Sequence, residues 1–421
     1  MGVIKMKKII MSISLAFLAA FSSVPTEAAT EVNIQITKAE QQPTIVFEDR
    51  VFEKVVRYYI NKPSGVVRQS DVEKVTEINT SDLLAYLGAE FTTHHIEPEQ
   101  IKSIKGIEYL VNLETLVIDQ YHDISDLSPL ANLSKLTTIE ISDNSIKDLR
   151  ALKSLPQLKV LRLPSNRITD ITPLKGLTNL EILELGSNKI ADISPIDGLT
   201  RLKNLNLLSN EIRNITPLQK LTNLEFLYLM GNQISGGAQP LEALTKLKKL
   251  SLSYNLLSDG SALQHLRRLE SLDLASTEII DFSFLKGLVQ LKRLGIDDTK
   301  RPVDLRNLEG LKNLKSLYLR NTQVEDIGPL SKLTSLESLY LAENKISNID
   351  GLSSLSKLTY LNLSKNQIYT TAPLKTLQQL QNLDLRHNHL FDISALTSIA
   401  SLTRVEIRDN HLTGKEAVAT I

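Results

Sequence analysis

The chain has no cysteine and no tryptophan in its 421 residues. Without a thiol there is no disulfide framework, no cysteine-based zinc site, no cysteine nucleophile and no lipobox-type lipid anchor. Neither sign of charge is in excess, with 48 Lys plus Arg against 48 Asp plus Glu. That balance gives no electrostatic footing for nucleic acid or an anionic membrane surface as partner. The G-x-S-x-G turn, the P-loop and G-x-G-x-x-G are all missing. His94-His95-Ile96-Glu97 with Glu99 is the one grouping of His and carboxylate that suggests a metal. It lacks the helical H-x-x-x-H spacing of a zinc site. The expectation is therefore no enzyme, no catalytic residues, no metal and no cofactor.

Long apolar runs are missing too, except for one. Ile9 to Phe21 follows the basic Lys5, Lys7 and Lys8, and Thr26-Glu27-Ala28 offers small residues where a signal would be cleaved. The run is of signal-peptide length and short for a membrane span. Residues 1–28 are read as an export signal, with Met6 an alternative start to Met1. Without them the count is 45 basic and 47 acidic residues. A secreted chain is expected, with no wall-sorting motif or transmembrane anchor in the sequence and no membrane insertion after cleavage.

What the sequence has in abundance is one repeated pattern. Leu158, Leu161, Leu163, Asn166, Ile168, Asp170, Ile171, Pro173, Leu174 and Leu177 are echoed 22 residues later, through Asn188, Asp192, Pro195 and Leu199. Fourteen copies start at Leu113, Leu136, Leu158, Leu180, Leu202, Leu224, Leu247, Leu269, Leu291, Leu314, Leu336, Leu358, Leu380 and Leu402. Those at Leu113, Leu224 and Leu291 are one residue longer. L-x-x-L-x-L-x-x-N with a period in the twenties is a leucine-rich repeat. Leu161 and Leu163, two apart on a strand, face the same way. Asn166 sits where the chain leaves the strand, and its amide can satisfy backbone groups at that corner. Pro173 suits the first turn of a short helix or 3₁₀ segment, and about eleven residues leave no room for a long convex helix. Threonine replaces the corner Asn at Thr277, Thr299 and Thr322. The fold class is an α/β repeat: a leucine-rich repeat solenoid with a parallel concave sheet and short 3₁₀ or helical turns on the convex side.

A solenoid end exposes core and needs a cap. Helical periodicity over Phe47 to Ile60 places Val51, Val55 and Tyr59 on one face, with Phe52, Val56 and Ile60 beside them. Ser70-Asp71-Val72-Glu73 has the form of a capping box, predicting a second short helix from Ser70. Phe91, Ile96, Ile101, Ile104, Ile107 and Leu110 hold core positions in a degenerate copy. Thr413-Gly414-Lys415-Glu416 predicts a last helical turn. The organisation is signal 1–28, flexible lead 29–43, helical N-terminal cap with an insertion 44–90, repeat array 91–412 and short C-terminal cap 413–421.

The form x-I-x-D-I-x-P-L-x-x-L-x-x-L resembles that of the internalins, secreted or wall-attached proteins of Gram-positive bacteria. The segment from Phe47 through Gly65 and Ser70-Asp71-Val72-Glu73 to Val75-Thr76-Glu77-Ile78 resembles the internalin cap running into its first strand. Ile101 to Leu110 resembles the internalin approach to the regular array. The resemblance covers residue 45 to the end. Thr80 to His95, with a short helix expected around Ser81 to Gly88, departs from it as an insertion. The immunoglobulin-like and wall-binding modules of many members are not seen. The resemblance implies a binding module for a host-cell surface or intracellular protein and a possible virulence role. The alternative is a cell-envelope protein holding wall polymer or a bacterial partner, for which Asn204, Asn206, Gln233, Asn362 and Asn382 supply amides.

In such an array the residue between the two strand leucines points to the concave face. That column reads Val117, Glu140, Arg162, Glu184, Asn206, Tyr228, Ser251, Asp273, Gly295, Tyr318, Tyr340, Asn362, Asp384 and Glu406. Two groups stand out as partner-binding candidates: Leu208, Phe226, Tyr228, Met230 and Tyr254, then Tyr318, Arg320, Tyr340 and Tyr360, with Arg293 near. Exposed aromatics with Arg are the composition of interface hot spots. Arg386, His387, His389, Arg404, Arg408 and His411 gather near the C-terminus, interleaved with Asp384, Glu406 and Asp409, which makes a solvated face the simpler reading than an anion site. A monomer is expected.

Overall fold

A computed structural model describes residues 43–81, 100–118 and 122–413. The leader, the insertion from residue 82, Phe91, Ile96, the His94–Glu99 cluster and the residues after Thr413 lie outside the described residues. Within them, fifteen strands form one parallel sheet in chain order, from Glu77–Asn79 and Thr115–Ile118 to Arg404–Glu406. Each strand is three or four residues long. Strands this short pair in register because every copy offers the same leucine to its neighbour, as Leu161↔Leu183↔Leu205↔Leu227 shows. Those leucines are fully buried, along with Leu163, Ile168, Ile171, Leu174 and Leu177 in the copy that begins at Leu158. One apolar core therefore runs the length of the array, because no single copy can cover its own apolar face.

The return leg is a 3₁₀ turn in nearly every copy, such as Thr172–Leu174 and Ser194–Ile196 with Pro in the first turn. The repeated Asp starts it. Asp170 accepts the Thr172 backbone N–H at 2.8 Å, and Asp192 accepts that of Ser194 at 2.8 Å. The same bond recurs at Asp126, Asp259, Asp281 and Asp392. It satisfies a donor that a short helix cannot satisfy internally.

The corner asparagines tie copies together. Asn188 Nδ2 donates to Leu163 O in the preceding copy and to Leu185 O and Gly186 O in its own, while its Oδ1 accepts the Ile168 N–H at 2.9 Å. Before each such residue the backbone is left-handed, as at Ser165, Ser187 and Ser209, with φ between 51° and 56°. Thr277 reaches only Leu274 O, and Thr299 only Arg301 O. Neither bridges to the copy before it.

The cap departs from the expected boundaries. The first helix is Arg50–Tyr59, opened by Asp49, whose carboxylate accepts the Val51 and Phe52 N–H groups at 2.8 and 3.0 Å. Phe47 lies before it and packs on Gly106, where φ is +105° and any Cβ would collide with the Phe47 ring. The second helix is Gln69–Val72, one residue earlier than the Ser70 box predicts. The Asp71 carboxylate, not Glu73, reaches back to the N–H of Arg68, at 2.8 Å. Tyr59 Oη brackets the first strand by accepting from Asn79 N and donating to Asn79 O, both at 2.8 Å. Ile101, Ile104, Ile107 and Leu110 are buried, as the degenerate copy requires.

Two features were not legible in the sequence. Ser235–Gly237 and Leu256–Asp259 form a second, two-stranded parallel sheet on the flank. A ladder of opposite charges also runs beside the strands, pairing Lys203 with Glu181, Lys248 with Glu225, Lys292 with Glu270 and Lys315 with Glu337 at 2.6–2.8 Å.

Candidate binding face

Alternation along each strand decides what reaches the concave surface. Leu227 and Leu229 are fully buried, so Phe226, Tyr228 and Met230 point the other way and are half-exposed. The expected column is real: Glu140, Arg162, Glu184, Asn206 and Tyr228 are successive register partners, and so are Tyr318, Tyr340, Asn362, Asp384 and Glu406. Arg162 pairs with both Glu140 and Glu184, so the alternation of sign there is spent within the sheet.

In the first group Leu208 leans over Gly186, whose missing side chain makes room for it. Tyr228 lies between Asn206 and Ser251, so neither cross-strand neighbour carries a ring. Burial, and behind it the Glu184 carboxylate, pushes the Tyr228 hydroxyl pKa up, so it stays a neutral donor. Lys249 Nζ sits 5.8 Å from the centre of the Phe226 ring. Asn204, the register partner of Phe226, has a buried Oδ1 with no hydrogen-bond partner. Tyr254 does not belong on this surface. It occupies the left-handed corner, with φ 55°, and is 59% exposed on the rim. It holds the place of Ser209 and Gly231 in their copies, just before the corner Asn255, while Ser253 takes the position that Met230 and Leu208 hold. A bulky residue at positive φ is disfavoured.

The second group is stacked. The rings of Tyr318 and Tyr340 are 4.4 Å apart and near-parallel, and Tyr360 follows at 4.7 Å. These separations match the strand spacing. Arg293 covers the other side of Tyr318 at 4.1 Å and donates to its hydroxyl. Both faces of Tyr318 and Tyr340 are thus taken, and burial raises the Tyr340 pKa. Arg320 is not part of the stack; it pairs with Glu343 at 3.2 Å. The C-terminal arginines are matched at home, Arg386 by Asp384 and Arg404 by Glu406, and His387 Nδ1 lies 3.3 Å from the Asp409 carboxylate. His389 and His411 stack on each other at 5.4 Å, and Phe391, 64% exposed, stacks on His411.

The "Leucine Rich repeats (2 copies)" family matches residues 134–176, 156–198, 178–220, 222–265, 312–354 and 334–376. Among solved structures, an internalin (InlF) of Listeria monocytogenes is 31% identical, with a TM-score of 0.71, over 87% of this chain and 98% of that one. The chain belongs to the internalin family. No curated protein sequence matches this internalin. A Leptospira interrogans leucine-rich repeat protein, LIC12759, shares the fold at 22% identity, with a TM-score of 0.66 over 81% of this chain and 95% of that one. The Arabidopsis receptor kinase HAESA, solved with the peptide hormone IDA and the co-receptor SERK1, is 25% identical, with a TM-score of 0.62 over 74% of this chain and 57% of that one. Among the described residues no helix is long and apolar enough to cross a membrane.

The exposed groups that sequence reasoning missed lie on the flank. Leu256, the first residue of the second strand of the small sheet, and Ile280 are each 54% exposed. Tyr369, 56% exposed, precedes Phe391 by one repeat. Aligning the residues after each corner Asn column by column would have shown both.

Proposed function

We propose that this internalin is a secreted binding protein that engages a host or neighbouring-cell protein through its concave sheet, with Leu208, Phe226, Tyr228 and Met230 at the centre of the contact. The observation that carries this is the Tyr228 surroundings. Its ring is half-exposed, has no aromatic neighbour on either adjoining strand and is held on a rigid sheet. A large amphipathic ring on a fixed scaffold is what an interface anchor needs. The Tyr318–Tyr340 stack is different, because cross-strand stacking already accounts for those rings. It supports the sheet and ranks second as a contact. The InlF likeness supports the reading at the level of family, and HAESA, a structural neighbour, was solved in complex with a peptide hormone.

The test is the double substitution Phe226→Ser, Tyr228→Ser. A surface change away from the core costs under about 0.5 kcal/mol of stability. Truncating an anchor costs about 2 kcal/mol or more in binding, roughly thirtyfold in affinity. Candidate surface proteins immobilised on a biosensor should therefore bind the parent and lose the variant, with the melting temperature unchanged. Equal affinity of the two proteins would remove this cluster from the contact. A large fall in melting temperature would show that these side chains are not outward.

A further inference from the structure

We infer that this internalin carries a separate subsite for one neutral sugar ring, at the C-terminal end of the tyrosine stack. Tyr340 covers only one face of Tyr360. On the side of Asn382, the register partner of Tyr360, the concave surface opens into a hollow of about 180 Å³. That is smaller than the pocket of a drug-sized ligand, so its occupant must be small. Its lining is polar, apart from the Tyr360 ring and the edge of Leu383.

The hydrogen-bonding state of the lining selects the ligand. Asn382 makes no side-chain hydrogen bond among the described residues, so it offers both a donor and an acceptor. Asn362 uses its Oδ1 on Ser364, which leaves its Nδ2 donors open. Asp384 grips the Arg386 guanidinium through Nε at 3.0 Å and Nη2 at 2.6 Å. Glu406 holds Arg404 more loosely, its Oε1 accepting from both Nε at 3.4 Å and Nη2 at 3.1 Å. Each fork has donors to spare, because a guanidinium has five N–H groups. The two cations and two carboxylates cancel, so a phosphate or carboxylate ligand finds no net attraction. An aliphatic peptide side chain would bury these open amide groups without partners, which is costly. A sugar ring fits both demands. Its C–H face lies on the aromatic face of Tyr360, and its hydroxyls both donate and accept toward Asn362, Asn382 and the arginine forks. Three strands span about 10 Å here, room for one ring and its substituents.

The subsite is independent of protein capture at Tyr228. It is tested by saturation-transfer NMR on the full chain with four probes: methyl α-glucoside, methyl α-mannoside, methyl β-galactoside and N-acetylglucosamine. At least one should bind saturably with a millimolar dissociation constant, as a shallow single-ring site allows. Affinity should fall tenfold or more in Tyr360→Ala and in Asn382→Ala. It should stay within threefold of the parent in Tyr360→Phe, which keeps the ring face, and in Tyr228→Ser, which leaves the hollow intact. Circular dichroism on each variant separates loss of the site from loss of fold. Saturable binding that survives Tyr360→Ala in a folded protein, or no saturable binding of any of the four probes, would overturn the inference.

Discussion

Asn188 makes four hydrogen bonds from one side chain, three of them donated to carbonyls and one accepted from Ile168. Replacing it with Ala leaves the Ile168 N–H and the Leu163 carbonyl buried without that partner. An orphaned buried polar group costs about 1–3 kcal/mol. Asn188→Ala should therefore destabilise the protein by about 2 kcal/mol or more in urea denaturation. Asn188→Thr should recover part of this, since Thr277 and Thr322 each keep a bond from Oγ1 to a carbonyl of their own copy. Equal losses for Ala and Thr would show that the bridge to the preceding copy carries all of the effect. Gly186 offers a second check. Gly186→Ala puts a Cβ 3.0 Å from Leu208 Cγ, so it should displace Leu208 and weaken partner binding more than folding.

At the scale of the element, the stretch with Thr277 and Thr299 lacks the bridges that neighbouring copies have. It also holds the longer copy at Leu291, whose return turn, Leu305–Leu308, runs one residue further than Thr172–Leu174 does in its copy. Amide exchange should be faster through residues 270–325 than through residues 160–235, because local opening follows local bonding. Uniform protection across both stretches would show Thr to be an adequate corner. The convex turns and the charge ladder give a pH expectation. Asp170 is held below the usual carboxylate range by its bonds from Thr172, and Asp259 and Asp392 by theirs from Ser261 and Ser394. Glu181, Glu225 and Glu270 are lowered by hydrogen bonds from Lys203, Lys248 and Lys292. A carboxylate whose folded pKa is depressed contributes stability that is present above its unfolded pKa. That contribution is lost as pH falls through the folded value. The urea midpoint should thus hold steady from neutral pH down to about pH 5 and drop below about pH 4. The Glu part of the drop should shrink in high salt, since those pairs are exposed. A midpoint that rose on acidification would contradict the sign.

At the scale of the whole molecule, fifteen strands at the usual spacing make a sheet about 70 Å long. The first sheet end is covered by the Arg50–Tyr59 helix, and the last is Arg404–Glu406, where Leu402, Val405, Ile407 and Leu412 are only partly buried. Small-angle scattering should give an elongated monomer of about that length. A compact globule, or a doubled mass at micromolar concentration, would contradict it. The last copy should also exchange amides faster than the copies before it.

The sequence determined the architecture because a repeat states its own geometry. Two leucines two residues apart require a strand. An Asn at a constant offset requires a corner. A 22-residue period leaves length only for a short 3₁₀ return. The concave column could be written down in advance for the same reason, and Tyr228 and Tyr318 lie where alternation puts them. Only the tertiary structure decided what these side chains touch. Register laid Tyr318 against Tyr340, and Tyr360, the partner of Ser338, joined them diagonally, leaving one free face. Tyr254 took the left-handed corner, as Ser209 and Gly231 do in their copies, and so lies on the rim rather than on the sheet. In the cap, which has no period, Asp71 and Asp49 rather than the Ser70 box began the helices. Contacts across copies depend on distance between chain segments about 22 residues apart, and a one-dimensional pattern specifies the spacing of residues but not which of their atoms meet.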